Sequence, residues 1–115
     1  MVLVVDDHPP VRALAVDVLS EAGFRIIEAT SVEEALGVLR RRADVGVLLA
    51  DVNLSRPLDG YELALAVGRD WPDLGIVMIS GGHIPGLDGM PERSRFLRKP
   101  YTSATLVAAI RDVAR

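Results

Sequence analysis

Short apolar runs alternate with segments of helical spacing along this chain. Val2-Leu3-Val4-Val5 is a continuous apolar run, the pattern of a strand buried on both faces. Asp6-Asp7-His8-Pro9-Pro10 ends it, and the prolines suit a helix start, where the first N–H groups have no intrahelical partner. Val11, Leu14, Ala15, Val18, Leu19 and Ala22 follow helical spacing along one face, and Gly23 is a C-terminal stop. A second strand is predicted from Phe24 to Glu28. Ser31 with Glu34 forms a capping box for a helix with Val32, Ala35, Leu36 and Leu39 as its stripe. A third buried strand runs from Val45 to Ala50 and ends at Asp51. After a loop from Val52 to Asp59, a short helix is expected from Gly60 to about Arg69, left at Trp71-Pro72. Ile76 to Ile79 and Phe96-Leu97 read as the fourth and fifth strands. Thr102 or Ser103 caps a last helix, with Leu106, Val107, Ile110 and Val113 facing inward.

Alternating strands and helices imply a parallel sheet with right-handed crossovers. The segment from His83 to Arg93 contains Pro85, Gly86, Gly89 and Pro91. Proline disfavours helix at the residue before it, and interior glycine costs roughly 1 kcal/mol relative to alanine, so any helix there is expected to be short or irregular.

The length of 115 residues fits one domain, expected to span 1–115, with enough apolar residues for a core. No cysteine is present, which removes disulfides, thiolate catalysis and cysteine zinc sites. No apolar run reaches the length of a membrane span, and the first residues do not read as a signal peptide. The net charge of −3 argues against direct nucleic-acid binding, and Arg40-Arg41-Arg42 reads as a complement to a helix C-terminus. These features lead to the expectation of a cytoplasmic protein that binds neither membrane nor nucleic acid.

The charged residues sharpen the picture. Only one of the thirteen basic side chains is a lysine, Lys99, directly before Pro100. A lysine is a compact, movable point charge that can grip a phosphoryl oxygen, unlike the rigid fork of arginine. Asp6, Asp7, Asp51, Ser80 and Lys99 all fall just past the carboxyl end of a predicted strand. In open parallel sheets that edge is where ligands bind. Two carboxylates about 4 Å apart repel by roughly 4 kcal/mol at an effective dielectric near 20, so Asp6, Asp7 and Asp51 need a cation. Oxygen ligands point to a hard divalent ion, Mg²⁺ first, with several waters retained. A helix cap explains one aspartate of the Asp6-Asp7 pair, but neither the second nor Asp51. A metal and a lysine that neutralise a moving phosphoryl group suit transfer onto a carboxylate, with Asp51 the best acceptor.

In this order and spacing, Val4-Val5-Asp6-Asp7, Asp51-Val52-Asn53-Leu54, Asp59-Gly60, Ser80-Gly81 and Lys99-Pro100-Tyr101 resemble the receiver domain of bacterial two-component response regulators. The resemblance covers essentially the full chain. It implies a flavodoxin-like (βα)5 doubly wound parallel sheet, strand order 2-1-3-4-5. It implies a signalling switch, not a substrate-turning enzyme, that takes phosphate from a histidine kinase or histidine phosphotransfer protein onto Asp51 and acts on a downstream protein. It also implies that Asp7 and Asp51 ligate Mg²⁺, that Asp6 acts through water, and that the backbone carbonyl of Asn53 adds a ligand. The hydroxyl of Ser80 would move toward the phosphate, Lys99 would hold a phosphoryl oxygen, and Phe96 stands where the family's switch aromatic swings inward. The chain departs from the family pattern in a loop from Asp51 to Asp59-Gly60 one residue longer than usual, and in Ser80 where threonine is commoner.

Two other readings compete. A haloacid-dehalogenase-like phosphatase needs a general acid two residues after the nucleophile, where this chain has Asn53, and it needs room for a cap domain. A pseudo-receiver acting only by protein contact would be marked by loss of the acceptor or the acidic pair, and both are present. His8 reads as an exposed loop histidine and His83 as a minority candidate for approaching the phosphate. Tyr101 reads as packing beside Pro100.

Overall fold

The computed structural model describes residues 1–54, 59–81 and 93–114. Its elements are β1 (Val2–Val5), α1 (Pro9–Glu21), β2 (Ile26–Ala29), α2 (Val32–Arg41), β3 (Val47–Asp51), α3 (Asp59–Asp70), β4 (Gly75–Ser80), β5 (Ser94–Arg98) and α4 (Ser103–Val113). The five strands form one sheet in the order β2-β1-β3-β4-β5, every pair parallel. This is the doubly wound arrangement the sequence implies, with four helices among the described residues. The expected short or irregular helix between His83 and Arg93 lies outside them, apart from Arg93, as do His83 and the middle of the loop after Leu54.

Strand periodicity divides the core into two layers. Leu3, Val5, Leu48, Ala50, Ile76 and Met78 point to one face and pack with Ala35, Val38 and Leu39 of α2 and Leu63, Ala64 and Val67 of α3. Their neighbours Val2, Val4, Val47, Leu49, Val77 and Ile79 point to the other face and meet Ala15 and Leu19 of α1 and Leu106, Ala109, Ile110 and Val113 of α4. Because β1, β3 and β4 are covered on both sides, they read as unbroken apolar runs.

A helix end accounts for the boundary difference at the start of β2. At the end of α1, Gly23 adopts φ 94°, its N–H donates to the Ser20 carbonyl, and the Phe24 N–H donates to the Leu19 carbonyl. This pairing is a Schellman motif, which a glycine accommodates without steric cost. Phe24 therefore belongs to the helix exit, and β2 starts at Ile26 instead of Phe24. The Ser31–Glu34 capping box is half formed: Ser31 Oγ accepts from the Glu34 N–H at 3.1 Å, whereas the Glu34 carboxylate accepts from Thr30 Oγ1. Thr102 caps α4 with a full box, its partner being Thr105. α3 ends at Asp70, and the Trp71 N–H still reaches the Val67 carbonyl, consistent with a helix exit at Trp71-Pro72.

Leu14 departs from its expected place on the apolar face of α1, being 61% exposed. The buried stripe of that helix is narrow, Ala15 and Leu19, and Leu14 lies one residue off it. Val32 and Leu36 of α2 are half-buried, lining with Leu63 and Ala66 a groove of about 380 Å³ between α2 and α3. No helix among the described residues is long and apolar enough to cross a membrane.

Candidate functional site

The carboxyl ends of β1, β3 and β5 deliver their charged residues to one pocket of about 400 Å³. Asp6, Asp7, His8, Val11, Asp51, Asn53, Gly81 and Lys99 line it. Asp51 closes β3, and its side chain is only 12% exposed. One carboxylate oxygen, Oδ1, accepts from the Asn53 N–H at 2.9 Å; the other, Oδ2, accepts from Lys99 Nζ at 2.6 Å. Lys99 follows β5 directly, and its own N–H donates to the Ser80 carbonyl at 2.8 Å. That bond places the lysine's root beside the end of β4, where Ser80 is buried at 1% exposure. The peptide between Lys99 and Pro100 is cis.

Asp6 continues from β1. Its N–H donates to the Ala29 carbonyl, and its Oδ1 accepts from the His8 N–H at 2.8 Å. The residue at the N-cap of α1 is His8, whose side chain makes no capping bond, and Pro9 and Pro10 occupy the first turn. The Asp6-Asp7 pair is thus not spent on capping the helix, and both residues face the pocket. His8 is exposed at the pocket's rim, as expected.

The charges are only partly balanced. Three carboxylates, Asp6, Asp7 and Asp51, share the pocket with the Lys99 ammonium, which neutralises Asp51 directly. Burial pushes the Asp6 carboxyl above its ordinary value. The His8 N–H works against this, the Asp51 and Asp7 charges add to it, and Lys99 opposes it. Burial pulls Lys99 down, but its hydrogen bond to Asp51 and the charges of Asp51 and Asp6 outweigh this and leave its pKa raised. Tyr101 is also raised, chiefly by burial; it packs on the α1/α4 side of the core, as its position beside Pro100 suggests.

The raised Asp6 pKa gives a pH-dependent expectation. The native state holds this proton more tightly than the unfolded chain, so the penalty is absent below the ordinary value of 3.8 and complete above the raised one. Asp6→Asn keeps an oxygen for the His8 N–H and removes the charge. In metal-free thermal melts the variant should be more stable than the wild type at neutral pH, and the two should converge below the ordinary carboxylate range. An Asn variant less stable at neutral pH would contradict this electrostatic account.

The donor set fits a hard divalent cation. It consists of oxygen, it carries more carboxylate than ammonium, and burial with like charge already disfavours an ionised Asp6. Among the described residues no group of three or more His, Cys, Asp or Glu side chains is gathered so as to hold a metal ion by itself. An open wall of carboxylates suits an ion that keeps several waters, as Mg²⁺ does.

Phe96 pairs with Met78 across β4 and β5 and is half-buried against the α2/α3 side of the core. Two features went unrecognised in the sequence. Gly60, in the first turn of α3, donates its N–H to the Val52 carbonyl at 2.8 Å, and a Cβ there would lie 1.7 Å from the backbone oxygen of Asp51. The Asp59-Gly60 pair hinted at this without showing a contact. Arg12, one turn into α1, reaches back to the Asp6 carbonyl, and only its spacing of six residues from Asp6 could have suggested it.

A parallel sheet of order 2-1-3-4-5, with paired acids after its first strand in the chain, an aspartate ending the third and a lysine after the fifth, defines a signalling receiver module. The chain belongs to the response regulator receiver domain family, whose model matches residues 2–111. It is 31% identical over 110 residues to the nitrogen assimilation regulatory protein NtrX of Azorhizobium caulinodans, covering 92% of this chain and 24% of that protein. It is 38% identical over 79 residues to the sensor histidine kinase RcsC of Salmonella typhimurium, covering 66% of this chain and 8% of that protein. The chain thus spans a quarter or less of these two relatives. Among solved structures, a response regulator receiver protein from Sinorhizobium medicae superposes with a TM-score of 0.86 at 29% identity, covering 97% of this chain and 91% of that one. The receiver domain of NtrX from Brucella abortus superposes with a TM-score of 0.79 at 28% identity, covering 98% of each chain.

Proposed function

We propose that residues 1–115 form one phosphoacceptor switch, in which Asp51 takes a phosphoryl group from the phosphohistidine of a histidine kinase or histidine phosphotransfer protein. The observation that carries this reading is the Asp51 carboxylate held at 2.6 Å by Lys99 in a pocket walled by Asp6 and Asp7. In the transfer, an Asp51 oxygen bonds to phosphorus as the P–N bond to the donor imidazole breaks, and the ring nitrogen leaves with the bonding pair. Lys99 passes from the carboxylate to a phosphoryl oxygen, and the Ser80 hydroxyl takes another. Asp6, Asp7, Asp51 and the Asn53 carbonyl would hold Mg²⁺, which supplies charge neutralisation for the phosphoryl oxygens.

Phe96, on the edge strand, is the aromatic proposed to read the state of Ser80 for a downstream protein. Kinship with a sensor histidine kinase and with a regulatory protein supports a protein donor and a protein target. The cycle of self-phosphorylation and hydrolysis makes the domain a switch and not a turnover enzyme.

The test is acetyl phosphate with and without Mg²⁺, read by intact-mass spectrometry. The wild type should gain one phosphoryl group only with Mg²⁺, labile to base and hydroxylamine, and Asp51→Asn should gain none. Equal labelling of both would place the acceptor elsewhere. No labelling of either would favour a module that acts by protein contact alone.

A further inference from the structure

The turn that carries Asp6 and Asp7 is gripped from one side by two residues outside the pocket. Arg12 Nη1 donates to the Asp6 carbonyl at 2.9 Å, and Arg12 Nε donates to Glu28 Oε1 at 3.0 Å. Glu28 lies on β2 opposite Val4, one residue before Ala29, whose carbonyl accepts the Asp6 N–H. The end of β2 therefore fixes both polar groups of the Asp6 backbone, the N–H directly and the carbonyl through Arg12. The Arg12 side chain is largely buried, at 17% exposure, and that of Glu28 is half exposed. A guanidinium can make both contacts at once because they use different edges of its plane.

We propose that Arg12, held by Glu28, is a positioning residue that sets the Asp6-Asp7 turn for cation binding, an inference that rests on reading those two aspartates as cation-holding groups. Glu28 has a second effect. It keeps a fixed positive charge turned toward a backbone carbonyl and away from the carboxylates, where it would compete with the incoming ion. Neither residue lines the pocket, so each acts through the turn and not on the ion.

The two contacts predict a specific pattern in Mg²⁺ affinity, measured calorimetrically on the whole chain without phosphodonor. Arg12→Met should weaken Mg²⁺ binding on the order of tenfold, the scale of losing a partner that orients a metal ligand. Glu28→Ala should weaken it in the same direction, because the freed guanidinium can turn to the carboxylates. Glu28→Gln, which still accepts from Nε, should restore most of the affinity. In the Arg12→Met background, Glu28→Ala should have no further effect, because Glu28 works only through Arg12. A merely structural pair would lower the metal-free melting temperature without this non-additive pattern. Should Arg12→Met fold poorly, the Glu28 pair of variants at a half-exposed position still decides the question. Wild-type affinity matched within about twofold by both Arg12→Met and Glu28→Ala would overturn the proposal. A wild type that binds no Mg²⁺ would overturn the cation reading beneath it.

Discussion

Gly60→Ala is expected to lower the melting temperature by about 10 °C or more and to remove most phosphoacceptor activity from the molecules that still fold. A Cβ at this position would stand 1.7 Å from the Asp51 carbonyl oxygen and 2.7 Å from its carbon. Both atoms belong to the backbone of a central strand, so no flexible side chain can yield. Overpacking of this kind costs roughly 1–3 kcal/mol and sometimes more, and each kcal/mol shifts the midpoint by about 4–8 °C in a domain near this size. The only relief is to pull α3 away from β3 or to shift Asp51, and a shifted Asp51 loses Lys99. The control is Gly37→Ala, inside α2, where the added Cβ would meet nothing closer than the Arg41 guanidinium at 3.6 Å. That change should be neutral or stabilising by up to about 1 kcal/mol, the ordinary helix preference for alanine. Paired thermal melts check both. A Gly60→Ala protein that melts with the wild type would show that α3 does not press on the acceptor strand.

Lys99→Ala should move two properties in opposite directions. Lys99 is the cation bonded to the Asp51 carboxylate, beside two further aspartates. Its removal leaves the pocket more negative, so Mg²⁺ should bind more tightly, by at least roughly tenfold, the scale for a unit charge about 6 Å from a divalent ion at a water-like dielectric near 80. The same change removes the donor proposed to meet the phosphoryl oxygens as charge develops on them. Losing one such donor costs on the order of 100- to 1000-fold in rate, so labelling by acetyl phosphate should slow accordingly. Calorimetry and a time course of intact mass, both at saturating Mg²⁺ for the rate, separate the two effects. A variant that weakened metal binding and left the rate unchanged would assign Lys99 a structural role only.

The strands and the site were legible for the same reason. A doubly covered parallel strand must be apolar throughout, so the first polar residue after Val5 or Ala50 marks both the strand end and the ligand edge. Asp6 and Asp51 emerged from that rule before any geometry was known, and Lys99 from being the single lysine, directly before Pro100. Gly60 and Arg12 did not, because their roles are contacts across space: one is the absence of a side chain against another strand's backbone, and the other is a side chain returning to a carbonyl. Leu14 was misplaced because helical spacing permits a wider stripe than the sheet covers in α1. Phe24 was taken for strand because apolar character does not distinguish the anchor of a Schellman turn from the first residue of a strand.

The pairing of Lys99 with Asp51 has a practical consequence in amine chemistry. These 115 residues hold a single lysine, so Lys99 is the one side-chain ammonium among them that an amine-directed reagent can meet. The lysine side chain is 37% exposed, enough for a small reagent to reach it, yet its lone pair is withheld by a proton shared with a carboxylate. Acylation of Lys99 thereby becomes a footprint of the pocket itself: its rate reports whether the ammonium is gripped, released or engaged by a bound phosphoryl group. In a lysine-rich homologue the same signal would be lost among a dozen bystanders.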